Sequence, residues 1–259
     1  MSLIAAAHAA AHAALDAAGA VIRPYFRSGL LADDKSDDSP VTIADRRAEE
    51  VLREILRQHF PDHGILGEEF PPHNLGARHI WVIDPIDGTR AFITGRPSFC
   101  TLLGLLEDGA PILGLIDQPI TGERWSGGRG QPAMFTGPFG GQPGTRGVTN
   151  LGSAELSATG PAYFNADQMR RFDNLAATCR RLYWGGDAYA YGLLALGQID
   201  IVAECGLKPW DWAALAPVVE AAGGKITDWQ GQPLRLGADG TVLAAANPAL
   251  HAAALEALA

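Results

Sequence analysis

Two aspartates three residues apart close an apolar run in Trp81-Val82-Ile83-Asp84-Pro85-Ile86-Asp87-Gly88-Thr89-Arg90. Pro85 fixes its own φ near about −65° and drives Asp84 out of helical geometry, so the two carboxylates are expected to converge across a tight turn. Ile86 between them is free to turn its carbonyl inward. Two carboxylates and a backbone carbonyl form an oxygen-only donor set, which suits a hard cation such as Mg²⁺ better than zinc. Gly88 and Thr89 then open a turn whose N–H groups face the same spot, an arrangement suited to phosphate. Asp-Pro and Asp-Gly pairs mark ordinary turns in most chains. What separates this one is the buried strand expected over residues 79–83, together with further acids in similar settings.

Gly64-Ile65-Leu66-Gly67-Glu68-Glu69 reads as a second short strand that ends in acid. Thr42 and Asp45 form a capping-type start to a helix, with Ala44, Ala48, Leu52 and Leu56 on its buried face. Before it, residues 3–28 read as one helix. His8 and His12 stand at i, i+4 but lack the glutamate of a His-Glu-x-x-His pattern, which argues against a metal role. The polar run 32–40 reads as a solvated flap that could bring Lys35 near an anion. After the central motif, segments 98–107 and 110–117 form a hairpin across Asp108-Gly109, and a strand near 123–125 continues it. The Gly- and Pro-rich stretch 127–147 reads as turns between edge strands.

From about residue 148 the pattern alternates: a helix over 166–180, a strand over 181–184, a helix over 187–196 and a strand over 199–203. Glu204 ends that last strand. Asp211 starts a helix over 212–222, with Pro217 inside it and no sequence-level account of the kink it implies. Residues 225–229 form a strand, and Asn247-Pro248 cap a final helix. Trp81, Trp184, Trp210 and Trp212 lie in apolar or site-flanking segments and are expected to pack internally. The chain therefore divides into residues 1–147, an α+β unit with the acidic motif, and 148–259, an α/β unit that completes the site.

With 259 residues, 47% of them hydrophobic but dispersed, the chain can bury a large core, and no uninterrupted apolar run approaches a membrane span of roughly 18 residues. The Ala-rich start lacks a basic leader and is interrupted by His8, His12 and Asp16, so it reads as an amphipathic helix and not a secretory signal. Three scattered cysteines, Cys100, Cys179 and Cys205, point to reduced thiols in a cytoplasmic setting. A formal net charge of −9 disfavours nucleic acid as a partner. An acidic protein that handles phosphate needs cations to reverse the sign locally.

Glu68, Asp84, Asp87 and Asp211 thus sit at strand ends or helix starts, where ligands gather in α/β folds, and Asp45 opens a helix. Gly-Glu-Glu at 67–69, Asp-Pro-Ile-Asp-Gly-Thr at 84–89, and Trp-Asp-Trp-Ala-Ala-Leu with the later Glu-Ala-Ala-Gly-Gly at 210–224 resemble the three signature segments of the inositol monophosphatase family, in order and in spacing. The similarity covers nearly the whole chain. It implies a layered αβαβα sandwich (α/β, or α+β) of the sugar-phosphatase type, with an antiparallel meander sheet and a second mixed sheet. It also implies a lithium-sensitive, Mg²⁺-dependent phosphomonoesterase, usually a homodimer. Residue by residue, it implies that Glu68, Asp84 and the Ile86 carbonyl hold one Mg²⁺, that Asp84, Asp87 and Asp211 hold a second, and that Glu68 helps hold a third. Thr89, paired with Asp45, would orient the attacking water, and the amides of Gly88 and Thr89 would bind phosphate.

Within the family, the segments at 39–45, 87–92, 185–192 and 206–209 look most like the histidinol-phosphate phosphatase branch, while 131–160 departs from it. Asp187 and Glu204 remain as acids flanking the site after the metals are satisfied, and histidinol carries a cationic amine that they would recognise. Arg90 is a further substrate-binding candidate. The expected substrate is a small phosphate monoester, L-histidinol phosphate, in histidine biosynthesis. Inositol-1-phosphate or another sugar phosphate is the alternative. A non-catalytic phosphate-binding regulator should have lost a ligand, and every expected position is filled. An adaptor or lectin-like module would show exposed aromatics instead.

Overall fold

The computed structural model describes residues 2–29, 33–34 and 40–259; the Lys35 flap expected from the sequence lies outside them. Helix α1, Leu3–Ile22, starts at Ser2, whose hydroxyl accepts the Ala5 N–H at 3.3 Å. It stops short of the expected residue 28, because Pro24 enters a 3-10 turn over Arg23–Tyr25. Taken with that turn, α1 is long and apolar enough to span a membrane by composition. Here its alanine stripe, Ala7, Ala11, Ala14 and Ala18, is fully buried against the protein.

Two-residue strands β1 (Asp33–Asp34) and β2 (Pro40–Val41) pair antiparallel. Helix α2, Ile43–His59, follows with a complete capping box: Thr42 Oγ1 accepts the Ala44 N–H, and Asp45 Oδ2 accepts the Thr42 N–H at 2.8 Å. Strands β3 (Gly64–Gly67) and β4 (His79–Asp87) run parallel. The short helix α3 (Thr89–Ile93) leads to β5 (Cys100–Glu107), β6 (Ala110–Gln118), β7 (Glu123–Gly128) and β8 (Gln131–Thr136), which continue β4 as an antiparallel meander in a sheet of order β3-β4-β5-β6-β7-β8. The β5–β6 turn has Asp108 at φ 50° and Gly109 at φ 78°, both in the left-handed region that a two-residue hairpin needs. Strand β8 corrects the expectation of turns throughout 127–147. Its Gln-Pro composition hides a strand that Pro132 can join because it lies at a sheet edge.

The second half supplies β9 (Glu155–Ala158), α4 (Ala166–Thr178), β10 (Arg181–Trp184), α5 (Asp187–Ala195), β11 (Ile201–Glu204), α6 (Pro209–Trp212), α7 (Leu215–Ala221), β12 (Lys225–Thr227), β13 (Val242–Ala245) and α8 (Pro248–Ala257). Its sheet has the order β10-β9-β11-β13-β12, with β9 parallel to both neighbours and β13 antiparallel to both of its own. The helix expected over 212–222 is two helices separated at Ala213 and Ala214. Pro217 is therefore the third residue of α7, in a first turn whose N–H groups have no intrahelical acceptor, and it breaks nothing.

Side-chain parity along β4 assigns the layers. Trp81 and Ile83 face the core shared with α1 and α2, whereas Ile80 and Val82 face a central core with α5, α6 and α7. A third core packs α4 and α8 on the far face of the second sheet. The order is helices, sheet, helices, sheet, helices: a layered αβαβα sandwich, mixed α/β.

A row of glycines crosses the first sheet, Gly104 paired with Gly114 and Gly114 with Gly127. A Cβ on Gly114 would lie 1.9 Å from the Ala214 carbonyl oxygen, and one on Gly127 would lie 2.5 Å from that of Pro217. The sheet is bare there so that the backbone of the α6–α7 segment can lie directly on it. Not every tryptophan packs internally as expected: Trp184 is 41% exposed, because β10 is an edge strand.

Candidate active site

Asp84 and Asp87 would point to opposite faces of a regular strand, since their spacing is odd. The register between β4 and β5 shifts between them: Asp84 opposes Leu102 and Asp87 opposes Cys100, three steps on one strand against two on the other. This bulge reverses the parity, so Ile83 and Ile86 both face the α1–α2 core and both carboxylates face the central layer. The convergence expected across a turn is thus achieved inside a continuous strand. Asp84 Oδ1 accepts the Ile86 N–H at 3.0 Å, and Thr101 Oγ1 donates to the Pro85 carbonyl at 2.8 Å, which fixes the bulge.

Asp87 accepts the Ala188 N–H at 2.6 Å, and Asp211 accepts the Lys208 N–H at 2.7 Å. Asp84, Asp87 and Asp211 each offer one oxygen, and these lie within 4.8 Å of one another. Glu68 follows β3, with its N–H donating to the Ile83 carbonyl at 3.2 Å, and lines the same cavity of about 270 Å³. Ile86, Gly88, Thr89, Arg90, Asp187 and Glu204 line it too. Asp45 does not. It is fully buried behind Thr89, whose hydroxyl lies 3.4 Å from Asp45 Oδ1 and 3.2 Å from the Ile86 carbonyl oxygen.

Such crowding of acids is electrostatically unfavourable without a cation. Burial, then repulsion from Glu68, Asp87 and Asp211, holds Asp84 well above the ordinary carboxylate range. Asp87 is raised in the same way, by burial and by the charges of Asp187 and Asp211. Burial takes Asp211 to about 7, with Glu68 and Glu204 adding repulsion against the Lys208 N–H. Asp45 rises to about 6 through burial, opposed by its bonds from Thr42. Among the described residues, no Lys or Arg forms a salt bridge with Asp84, Asp87 or Asp211. Carboxylate oxygens gathered with no basic partner match what a hard divalent cation requires.

Asp187, in the left-handed region at φ 43°, leans over Gly88, where a Cβ would meet its carboxyl carbon at 3.0 Å. Burial and the Glu204 charge push it up to about 7, against Arg96 and Arg90. Glu204 is more committed. Its Oε1 accepts the Thr159 N–H at 2.8 Å and the Thr159 hydroxyl, and its Oε2 accepts the Tyr191 hydroxyl at 2.9 Å. Arg90 is exposed at the rim, its guanidinium 5.6 Å from the centre of the Tyr163 ring. Trp210, expected in a site-flanking segment, lines the cavity, and so do Tyr163 and Phe164, which have no counterpart in the sequence reading. The latter two follow β9, a strand too short to announce itself. His8 and His12 lie elsewhere, in a hydrogen-bonded chain with Ser126 and Arg124.

Residues 5–259 match the inositol monophosphatase family. The chain belongs to that family. Of its inositol monophosphatase relatives, a solved structure from Zymomonas mobilis superposes with a TM-score of 0.90 at 47% identity, covering 100% of this chain and 99% of that one. The bifunctional phosphatase IMPL2, chloroplastic, of Arabidopsis thaliana is 44% identical over 96% of this chain and 74% of its own length. A histidinol-phosphatase of Chlorobaculum parvum is 37% identical over 90% of this chain and 89% of its own. As a member of this metal-dependent family, the protein is a phosphoric monoester hydrolase that acts on small phosphate monoesters.

Proposed function

We propose that the protein hydrolyses L-histidinol phosphate to L-histidinol and phosphate, using two to three Mg²⁺ ions per site. The observation that carries this reading is Asp187, an acid beyond the cation cluster that faces the cavity beside Gly88. A polyol gives such a group no charge to meet, whereas the amine of histidinol does. The histidinol-phosphatase relative supports the same choice.

Glu68, Asp84, the Ile86 carbonyl, Asp87 and Asp211 would hold the ions, which when bound lower the pKa of water and neutralise charge on the phosphoryl oxygens. The protein's own part is positioning. Thr89 offers its hydroxyl oxygen to the attacking water and directs its proton to Asp45 or to the Ile86 carbonyl. Asp45, raised to about 6, can accept a proton near neutrality. The N–H groups at the start of α3, which follows the left-handed Gly88, have no intrahelical acceptor and are suited to phosphate oxygens. Glu204 shapes the leaving-group side through Thr159 and Tyr191, and Arg90 sits at the entrance. In this reading residues 1–147 carry the phosphate groups and every ion-holding residue but Asp211, and 148–259 complete the site with Asp211, Asp187 and Glu204. The enzyme would act as a cytoplasmic homodimer in histidine biosynthesis. Unpaired Cys100, Cys179 and Cys205 fit a reducing compartment, and the exposed Tyr183 and Trp184 on edge strand β10 offer a self-association face.

The 47% identical inositol monophosphatase favours one other reading, inositol-1-phosphate as substrate. Phosphate release measured side by side on the two compounds, with and without Mg²⁺, decides between them. A higher kcat/KM on inositol-1-phosphate overturns the histidinol assignment, and Mg²⁺-independent turnover overturns the ion assignment.

A further inference from the structure

Among the described residues, the most completely buried ion pair outside the site joins two residues of α2. Glu49 is fully buried and Arg53 is 5% exposed, with Arg53 Nε donating to Glu49 Oε1 at 2.6 Å. A buried pair of this kind contributes little net stability, because desolvation of both charges offsets their attraction, and an apolar pair of similar volume would serve a core as well. Its bonds show another use. Glu49 Oε2 accepts the Glu69 N–H at 2.7 Å, and Arg53 Nη2 donates to the Phe70 carbonyl at 3.0 Å. On the other side of Glu68, a Cβ on Gly67 would lie 2.0 Å from Glu49 Oε1, so the chain there lies directly on the carboxylate. The β3–β4 register ends with Gly67 opposite Ile83, and the Glu68 N–H donates to the Ile83 carbonyl just beyond it. From that point the ion pair takes over as the anchor of the backbone.

The same helix face, one turn earlier, presents Asp45 to Thr89. We propose that Glu49 and Arg53 are positioning residues for the cation site: they clamp the backbone on both sides of Glu68, so that one rigid helix sets Glu68 and the Asp45–Thr89 pair in fixed relation. This rests on the reading of Glu68 as a cation ligand.

The test is titration of the metal-free protein with Mn²⁺ and with Mg²⁺ by calorimetry, on wild type, Glu49→Gln, Arg53→Lys and Glu68→Gln, with thermal melting of each metal-free sample alongside. Outer partners of metal ligands typically carry about 10–100-fold in metal affinity. Glu49→Gln and Arg53→Lys are therefore expected to weaken at least one ion by about tenfold or more, and excess Mg²⁺ should restore most of kcat. Arg53→Lys keeps the charge but cannot span both partners, so it answers the question if Glu49→Gln does not fold. Isotherms equal to wild type alongside a lowered melting temperature would reduce the pair to a structural strut and overturn the proposal. If Glu68→Gln itself leaves the isotherm unchanged, the ligand assignment fails instead. If Glu68→Gln weakens binding while the two α2 variants do not, the clamp alone fails.

Discussion

Replacing Gly114 by alanine tests whether the glycine row places Asp211. The new Cβ would stand 1.9 Å from the Ala214 carbonyl oxygen and 2.7 Å from its carbon, and both are backbone atoms that cannot rotate away. Reaching even a tight carbon–oxygen contact requires the α6–α7 segment to retreat by roughly 1 Å, and overpacking of this sort destabilises by about 1–3 kcal/mol. With a backbone obstacle the upper part of that range applies, and for a chain of this size it lowers Tm by roughly 5–10 °C. Asp211 lies three residues before Ala214, so the retreat carries its carboxylate away from Asp84 and Asp87. A misplacement of about 1 Å at a reacting centre lowers the rate by on the order of 10²-fold. The assays are thermal melting and phosphate release over a range of Mg²⁺ concentrations, with Gly76→Ala as a surface control, where an added Cβ would meet nothing within 4 Å. A Gly114→Ala protein with wild-type Tm and wild-type kcat/KM would refute the argument that the bare sheet seats the α6–α7 segment.

Asp211→Asn and Asp87→Asn are expected to abolish turnover and to remove the Mg²⁺-induced rise in Tm, while the metal-free variants near neutral pH melt no lower than wild type, since each removes a buried carboxyl that is costly to ionise in the fold. Retained Mg²⁺ stabilisation, read by the same melts, counts against the ligand set. The pH dependence has a definite sign. Asp211 and Asp187, raised to about 7, and Asp45, raised to about 6, stay protonated in the folded metal-free protein where the unfolded chain has released its protons. Folded-state stability from these groups is full below the ordinary aspartate value of about 4 and declines as pH rises towards about 7. Mg²⁺ competes with those protons, so the Tm increment it produces should grow between about pH 5 and pH 7.5. An increment independent of pH is the contrary result. His251, lowered to about 4 by burial, destabilises on the acid side, and the paired comparison with and without Mg²⁺ cancels its effect. Glu204→Gln should weaken histidinol phosphate more than inositol-1-phosphate in the kcat/KM ratio; an equal loss on both would assign Glu204 to holding Thr159 and Tyr191 alone.

The acids were legible because each follows a signal that chain physics makes local: an apolar strand ending at Asp84, a strand ending near Glu68, a helix starting near Asp211. The parity switch between Asp84 and Asp87 was not, because a bulge is a relation between two strands and leaves no mark on one. Strands β9 and β13 escaped notice for a related reason. Both are four residues long and buried along their whole length, so neither shows the alternation that identifies a half-exposed strand. With β9 went Tyr163 and Phe164, which the cavity needs for its wall. The division at Ala213 and Ala214 is set by the glycine row opposite, far away in sequence. Glu49 carries no mark in the sequence, because the Glu69 N–H and Arg53 meet it only inside the folded protein.

The acidic cluster joins the first sheet to the central helical layer: Asp84 and Asp87 come from β4 and Asp211 from α6, which lies on that sheet, with Glu204 ending a strand of the second sheet beside them. Without an ion, the acids gathered at that junction must hold protons or repel one another. An ion bound there would rivet α6 to the first sheet, so the group that supplies the hydrolytic chemistry would also govern how cooperatively helix and sheet come undone. Chelation should therefore broaden the calorimetric transition as well as silence the enzyme, and a trace of unchanged width would mean that the seam is held by its hydrocarbon alone.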